Sequence, residues 1–400
     1  MLRGIKVLEL ANVLAGPSVG MFLAELGAEV WKVENVRTNG DVTRIWKLPS
    51  ESPDTDISAY YSSVNWGKQS LAVDLTLCEG LEIVHDLAKL CDIVLASYKP
   101  GDAEKLNVDH KTLRALNPRL IYGHITGYGA DNPRAGFDAI IQAESGFTFM
   151  NGEPDGPPTK MPVALMDVLT AHNLKEGILL ALMQRERTGL GQYIEASLIR
   201  GGVASLINQA SNWLVAKTIP KRLGSDHPNI VPYGTIFRTK DNKEIVLAVG
   251  TEKQFSELCK VLGKPELPED PRFSRNYERV KNKSALLSIL QELFLKYDRD
   301  QILGILEQRR IPAGGVFDMR EVFETPEAQE MLLHGVYANA DPIVGVRSVA
   351  FNSDVHKSHS RLLPPPHYAA HTRHILKTWL GIDDNKLETL ISKGVIYARD

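Results

Sequence analysis

The chain has 400 residues, and a length of this order favours two domains over one. Its composition, with 43% hydrophobic and 24% charged residues, is typical of a globular protein and excludes a fibrous or mainly disordered chain. The 46 Lys and Arg residues nearly balance the 49 Asp and Glu residues, and the net charge of -3 argues against a general nucleic-acid-binding protein.

The sequence indicates no membrane partner and no metal site. No run of about 18 apolar residues occurs, and the opening MLRGIKVLEL lacks the features of a secretory signal. We therefore expect a cytoplasmic protein, or a mitochondrial matrix protein if the source is eukaryotic. The 3 cysteines fit no disulfide or zinc pattern, and the 11 histidines form no H-E-x-x-H motif.

The first 34 residues predict a strand, a helix and a second strand. An apolar run over 5–10 is typical of a strand, and Pro17 suits the first turn of the helix that follows. Gly27 is a good helix stop, and residues 29–34 (EVWKVE) predict the next strand. A βαβ unit of this length requires its two strands to be parallel.

The same alternation continues and predicts an α/β fold with a doubly wound sheet. Residues 79–90 have the pattern of an amphipathic helix, and 92–96 and 120–125 have the pattern of strands. Ligands bind beyond the carboxyl ends of the strands in such sheets, so we expect the site in the loops after Leu10, Glu34, Ala96 and Ile125.

The second half of the chain predicts a further helix over 165–184 and a smaller domain of strands and helices. A polar stretch rich in proline and glycine precedes that domain and is typical of a linker. The division predicted from these patterns is a large domain over 1–200, a linker over 201–224 and a small α/β domain over 225–325. Further elements are predicted at 192–198 (strand), 199–215 (helix), 244–249 (strand), 252–262 (helix) and 283–310 (helical).

The loop after the first strand argues against a dinucleotide site. The fingerprint requires G-x-G-x-x-G, whereas the loop from Ala11 to Pro17 holds one glycine and a proline. Another nucleotide-like ligand remains compatible with this loop.

Two carboxylates begin predicted helices, and each has two interpretations. Asp167 lies in an apolar run at a helix start, where it either satisfies free N–H groups or acts as a nucleophile or acid–base group. Asp138 is either a helix cap or a partner in that chemistry. Six basic residues near the strand ends are individually typical of solvated surface, but together they could offset phosphates: Arg37, Arg44, Lys68, Lys99, Lys105 and Arg134.

Several short segments, in order along nearly the whole chain, resemble the class III CoA-transferases, the group of formyl-CoA transferase and carnitine CoA-transferase. Within the family, the similarity is greatest to members that act on small dicarboxylates. The segments are 14–17 (LAGP), 26–34 (LGAEVWKVE), 40–44 (GDVTR), 65–70 (NWGKQS), 127–129 (GYG), the Asp167 helix, 188–192 (TGLGQ) and 312–314 (PAG).

The resemblance implies a fold and a covalent mechanism. The fold is a large Rossmann-like domain with a parallel sheet plus a smaller α/β domain, in an interlocked homodimer, and a return segment over 326–400 completes the large domain. Asp167 matches the family's nucleophile, which accepts CoA from an acyl-CoA as an aspartyl-CoA thioester and passes it to a free carboxylic acid. CoA is thus a substrate, with no tightly bound cofactor. Asp138, Tyr60 and Gly250 match further active-site positions, the last in a lid loop.

The resemblance also implies a set of CoA-binding positions. Leu14, Ser97 and Lys105 replace a glutamine, an asparagine and an arginine of formyl-CoA transferase, and Leu14 argues against formate and oxalate as substrates. Arg134 joins the set as a basic residue near the site. The positions are Val13, Leu14, Ala15, Arg37, Ser70, Leu71, Ala72, Val73, Ser97, Tyr98, Lys105 and Arg134.

Two alternatives stay open at the level of the sequence. The related α-methylacyl-CoA racemases carry a histidine immediately before the position of Asp138, whereas this chain has Phe137, which holds no exchangeable proton for acid–base work. The second alternative is a protein that binds CoA without catalysis. Replacing Asp167 should abolish turnover in a transferase and leave such a binding protein almost unchanged.

Overall fold

The computed structural model describes residues 1–338, 340–354 and 362–399. The strands are β1 (Lys6–Glu9), β2 (Glu29–Glu34), β3 (Lys68–Val73), β4 (Ile93–Ala96), β5 (Ile121–Thr126), β6 (Tyr193–Ser197), β7 (Tyr233–Arg238), β8 (Glu244–Ala248), β9 (Ala313–Gly315), β10 (Leu332–Val336), β11 (Pro342–Val346) and β12 (Ile396–Tyr397).

Helices alternate with these strands through most of the chain. They are α1 (Ala15–Glu25), α2 (Ala59–Ser62), α3 (Cys78–Leu90), α4 (Asp102–Lys105), α5 (His110–Leu116), α6 (Asp138–Glu144), α7 (Phe147–Met150), α8 (Leu165–Thr188), α9 (Leu198–Ala204), α10 (Ile207–Leu214), α11 (Glu252–Val261), α12 (Asn276–Lys281), α13 (Lys283–Phe294), α14 (Arg299–Gln308), α15 (Met319–Glu324), α16 (Pro326–Gln329), α17 (Thr372–Leu380) and α18 (Asp384–Ser392).

Contacts divide the chain into two compact units. The larger unit holds Met1–Ser145, Met161–Ala210 and the described residues from Glu330 onward, and the smaller holds Gly146–Lys160 and Ser211–Gln329. The sequence-based domain limits differ from this division at 146–160 and remain a prediction. Of the predicted return segment, residues 339, 355–361 and 400 lie outside the described residues.

The larger unit is built on a sheet of seven strands in the order β12-β3-β2-β1-β4-β5-β6. Adjacent strands from β3 to β6 are parallel, which confirms the predicted βαβ unit, and β12 pairs antiparallel with β3 at one edge. The strand order reverses at β1, since β2 and β4 flank it on opposite sides. The loops after β1 and β4 therefore border the crevice in which such sheets bind ligands.

Helices cover both faces of this sheet, which explains why most residues of β1 to β5 are buried. On one face, residues of α3, α17 and α18 pack against alternating strand residues such as Leu8 and Tyr122. The residue after Tyr122 is Gly123, which points to the opposite face and lies against α8. A Cβ at Gly123 would lie 3.0 Å from Ile178 Cδ1 and 3.3 Å from Leu174 Cδ1, so an alanine there would require these α8 side chains to shift.

The smaller unit has its own apolar core around a three-stranded antiparallel sheet. The strand order is β7-β8-β9, and helices α11, α13 and α14 supply the buried residues that pack against it. Helix α11 begins with a capping box, in which Thr251 and Gln254 exchange hydrogen bonds.

Some predicted elements differ from the structure. The helical pattern over 283–310 forms two helices, α13 and α14, with Asp298 as the N-cap of the second. The predicted helix over 199–215 is also two helices, and the stretch 201–224 predicted as a linker contains all of α10. Strand β3 was not predicted. None of the helices in the described ranges combines the length and apolarity needed to cross a bilayer.

Candidate active site

A cavity of about 360 Å³ lies at the carboxyl ends of β1, β4 and β5, within the larger unit. Its walls come from loop residues 12–16 and 97–100, from 125–127 and 134–138, and from Val42, Trp46, Asp167 and Leu198. Three of the four loops predicted to hold the site thus supply its lining, together with Val42 and Trp46 beyond the fourth. The wall is mixed, with apolar side chains on several sides and a small number of polar groups, as in most small-molecule sites.

Asp167 is one of two acidic residues that line the cavity, and the other is Asp138. Asp167 occupies the first turn of α8, whose N-cap residue Ala164 makes no side-chain cap. No donor among the described residues hydrogen-bonds to its carboxylate, so it does not serve as the helix cap that the sequence also allowed. Burial, and then the negative charge of Asp138, raise the pKa of Asp167 to about 7. A carboxylate that is desolvated and unpaired in this way is a reactive group.

Asp138 caps the start of α8 from a different helix. It is the first residue of α6, and its Oδ1 accepts a hydrogen bond from the Met166 N–H at 2.8 Å. Its Oδ2 accepts from Gln142 Nε2 at 2.7 Å. Both carboxylate oxygens are engaged, in contrast to those of Asp167. Asp138 therefore fixes the first turn of α8 and also supplies the charge that perturbs its neighbour.

Gln142 was not identified from the sequence, although it completes this arrangement. Its side chain is fully buried, and its Oε1 accepts a hydrogen bond from the Met161 N–H at 2.8 Å. Its Nε2 also lies 3.3 Å from the Val163 carbonyl. One amide side chain thus joins Asp138 to the segment that leads into α8, a contact between distant residues that no local pattern reveals.

Tyr60 lies close enough to both carboxylates to be affected by their charge. Burial, followed by the charges of Asp167 and Asp138, raises the pKa of Tyr60 above its ordinary value. Its ring packs edge-on against Trp46, with 5.1 Å between the ring centroids. Trp46 lines the cavity whereas Tyr60 does not, so Tyr60 forms part of the support behind the wall.

The loop after β1 brings the N-terminus of α1 to the cavity. Val13 has a φ of 72°, a left-handed conformation that β-branched residues rarely adopt. Leu14, Ala15 and Gly16 follow it and line the cavity. Among the described residues, none accepts a hydrogen bond from the N–H groups of these three residues. Free N–H groups at a helix N-terminus favour an anion or a developing negative charge.

The loop after β4 forms the opposite wall. Ser97 Oγ lies 3.1 Å from the Asn12 main-chain nitrogen and so links the two loops. Burial raises the pKa of the adjacent Tyr98 to about 12, so its hydroxyl stays protonated at neutral pH. Lys99 extends this wall with an exposed ammonium group.

Arg134 lines the cavity from an exposed position. Its guanidinium lies 4.0 Å from the centre of the Tyr128 ring and pairs with Glu144. The Tyr128 hydroxyl donates to the same carboxylate at 2.9 Å. The three side chains hold each other in place, so the Arg134 guanidinium is oriented but partly neutralised.

Several predicted ligand-binding residues do not line the cavity. Arg37 is exposed and pairs with Asp74 at 2.6 Å, and Lys105 is exposed and pairs with Asp102 at 3.1 Å. Residues 70–73 form most of β3 and are buried in the sheet, so their side chains offer no surface to a ligand.

Gly250 belongs to the smaller unit and is exposed. Its N–H donates to Gln254 Oε1 at 3.0 Å, and a Cβ at this position would meet no neighbouring atom.

For two of the six basic residues, neither predicted role, solvated surface charge or phosphate binding, agrees with the structure. Lys68 and Arg44 are buried in ion pairs with Glu9 and Glu34, so they neither form solvated surface nor face a ligand. These pairs join residues far apart in sequence, so the sequence pattern alone did not reveal them. No group of three or more His, Cys, Asp or Glu side chains within 1–338, 340–354 and 362–399 is arranged to hold a metal ion.

Comparison with known proteins identifies the family of the chain. A family model described as CoA-transferase family III matches residues 2–372. The succinyl-CoA:glutarate CoA-transferase of Mus musculus is 38% identical over 99% of this chain and 90% of its own length. The succinate–glutarate CoA-transferase of Agrobacterium fabrum is 39% identical over 94% of each chain. A CAIB/BAIF family protein from Brucella suis has a solved structure that superimposes with a TM-score of 0.82 at 36% identity, over 94% of this chain and 99% of its own.

Proposed function

The chain belongs to CoA-transferase family III, and we propose that it moves CoA from an acyl-CoA to a small dicarboxylic acid with Asp167 as covalent nucleophile. One observation carries the assignment of the nucleophile. Asp167 is a cavity carboxylate that is desolvated and accepts no hydrogen bond from any described residue, and its cavity also holds the free N–H groups of the α1 N-terminus.

The reaction divides into exchanges at a carbonyl carbon. The Asp167 carboxylate attacks the thioester carbonyl of the donor, the C–S bond breaks, and CoA departs as a thiolate, which leaves a mixed anhydride between Asp167 and the donor acid. The thiolate then attacks the aspartyl carbonyl, which releases the donor acid as a carboxylate and leaves an aspartyl-CoA thioester. The acceptor carboxylate repeats these steps in reverse order, so Asp167 is regenerated and no proton is consumed.

The N–H groups of Leu14, Ala15 and Gly16 would stabilise the oxyanion that develops at each attack. A preorganised donor of this kind lowers the barrier by on the order of 3 kcal/mol. The apolar wall that includes Trp46, Phe137 and Leu198 limits access of water, which would otherwise hydrolyse the anhydride and the thioester.

The proposed substrates follow from the relatives and from the charge of the cavity. The mouse and Agrobacterium relatives are named for succinate or succinyl-CoA and glutarate, and a Chloroflexus aurantiacus relative is named for succinyl-CoA and D-citramalate. Lys99 and Arg134 place positive charge at the cavity, as a second carboxylate would require. The family resemblance adds a homodimer to the proposal, and it also supports Gly250 as part of a lid and Arg37, Lys105 and 70–73 as part of the CoA path.

Intact-protein mass spectrometry after mixing with succinyl-CoA tests the nucleophile. We expect a CoA-sized covalent adduct that hydroxylamine removes and that Asp167→Asn lacks. An adduct that persists in the variant would place the nucleophile elsewhere. Retained CoA affinity without an adduct, for several acyl-CoA donors, would instead identify a binding protein. Solvent deuterium at the α-carbon of an acyl-CoA would identify a racemase.

A further inference from the structure

Two fully buried lysines lie beneath the active-site loop. Lys32 on β2 and Lys68 on β3 both have side chains that are 0% exposed, and both contact the same carboxylate, Glu9 on β1. The Nζ–Oε1 distances are 3.2 Å for Lys32 and 2.8 Å for Lys68. With Asp41, which lies 2.9 Å from Lys32, they form a cluster of two positive and two negative charges. We call Glu9, Lys32, Asp41 and Lys68 the buried charge cluster.

Each lysine of the buried charge cluster also holds a main-chain carbonyl of the loop. Lys32 Nζ donates to the Ala11 carbonyl at 3.0 Å, and Lys68 Nζ donates to the Pro17 carbonyl at 2.8 Å. The Ala11 carbonyl lies near the start of the loop from β1 to α1, and the Pro17 carbonyl lies in the first turn of α1. Lys68 Nζ also donates to Asn65 Oδ1 at 2.9 Å, and the third acceptor of Lys32 is Asp41. Each ammonium group therefore has three acceptors.

A glycine in α1 makes room for the buried charge cluster. A Cβ at Gly20 would lie 1.8 Å from Glu9 Oε2, so any other residue there would displace the carboxylate that the two lysines share. Buried ion pairs generally stabilise a fold less than apolar residues of the same volume. This cluster therefore needs an explanation other than stability, and the loop above it supplies one.

Asp41 holds the strained residue of that loop. Its carboxylate accepts a hydrogen bond from the Val13 N–H, with 3.2 Å to Oδ2, and its Oδ1 accepts from the Thr43 N–H at 3.0 Å. Val13 is the left-handed residue that turns the chain immediately before Leu14. A strained conformation persists only where its surroundings enforce it, and such positions concentrate at active sites.

We propose that Lys32 and Asp41 are positioning residues, which hold Val13 in its left-handed conformation and thereby aim the N–H groups of Leu14, Ala15 and Gly16 at the reacting carbonyl. The proposal rests on the proposed function for its catalytic consequence, but its structural part concerns the loop alone. Asp41 touches no substrate in this scheme and acts only through Val13.

The test is a double-mutant cycle between Asp41→Asn and Val13→Gly. Both Asp41 oxygens accept hydrogen bonds. In either orientation, the amide NH₂ group of an asparagine would therefore face a donor that the carboxylate now accepts from. We expect Asp41→Asn alone to lower the rate of aspartyl-CoA formation at least tenfold. Glycine adopts a positive φ without strain, so in the Val13→Gly background the same change should lower that rate less than threefold. Equal factors in both backgrounds would refute the positioning role.

Amide hydrogen exchange measures the mobility of the loop independently of catalytic activity. We expect Asp41→Asn to speed amide exchange in the peptide covering 11–17, and Asp92→Asn to leave it unchanged. Asp92 is the matched control because it pairs with the buried Arg185 in the same unit, away from the loop. Faster exchange in a protein that forms no adduct would support the loop inference and overturn the proposed function. Unchanged exchange in Asp41→Asn would overturn the loop inference.

Discussion

The reactivity of Asp167 comes from a carboxylate that is buried and that, within the part of the chain the structure describes, accepts no hydrogen bond. Its place in the first turn of a helix, visible in the sequence, was compatible with capping or with nucleophilic attack. The structure favours the second, because Asp138 on another helix already takes the Met166 N–H. That contact joins residues with no local relation in sequence, so the pattern could identify Asp167 but not its state.

The raised pKa of Asp167 predicts the pH dependence of its attack. Below a pKa of about 7 the carboxyl is protonated and is a poor nucleophile, and above it the carboxylate is ready to attack. We expect kcat/KM for the acyl-CoA to rise through a midpoint near pH 7 and then level. Asp138→Asn removes the second cause of the shift, so the midpoint should move to lower pH. A rate that is flat from about pH 5 to 8 would contradict this assignment.

The same carboxylate should reduce the stability of the fold at neutral and alkaline pH. The pKa of Asp167 is higher in the native protein than its ordinary value of 3.8, so the native state binds the proton more tightly than the unfolded state. Its contribution to stability is therefore complete at acid pH and is lost as pH rises through about 7.

Asp167→Asn should raise the free energy of unfolding at pH 8 by about 1–3 kcal/mol and have little effect at pH 4. Chemical denaturation at both pH values measures the difference. A variant that is less stable than the parent at pH 8 would show that the carboxylate has stabilising partners.

At the scale of elements, the start of α8 depends on a side chain from α6. Gln142→Ala should lower the free energy of unfolding by about 2–3 kcal/mol, because it removes a buried amide that bonds to Asp138 and to the Met161 N–H. It should also lower kcat by loosening the turn that holds Asp167. Thermal unfolding and steady-state kinetics measure the two effects.

Gln184→Ala is the control for that change, since Gln184 is an exposed glutamine in a later turn of α8. Comparable losses in both variants would mean that any loss of a glutamine amide lowers stability and activity, and that the contacts of Gln142 have no special role.

The elements that the sequence predicted best are those defined by local signals. Strands β1 and β2 and helix α3 follow from apolar runs, periodicity and turn glycines, and they lie within one or two residues of their predicted bounds. The division of 283–310 was missed because apolar spacing continues across it, although Asp298 is a residue type that begins helices. Lys68 was misjudged because its partner, Glu9, lies two strands away in the sheet. Arg44 was misjudged because its pairing with Glu34 depends on how the segment after β2 folds.

At the scale of the whole molecule, the doubly wound sheet explains why distant segments share one site. The strand order places the loops after β1 and β4 side by side, although β2 and β3 lie between these two strands in the sequence. The sequence predicted this edge of the sheet as the ligand site and predicted most of the loops that line it. The sequence did not predict which basic side chains would be buried and therefore unable to bind a ligand. Their burial depends on ion pairs with residues elsewhere in the fold, which only the structure shows.

Because β12 covers the edge of β3, protection of that edge depends on the order in which the chain is synthesised. Ile396 and Tyr397 pair with Val73 and Ala72, so the outer edge of β3 is covered by residues that the ribosome adds long after β3 itself. Until then, a nascent chain carries an open strand edge of apolar residues, which can join other chains. During this interval, association of the open β3 edge with another chain competes with the pairing of β12.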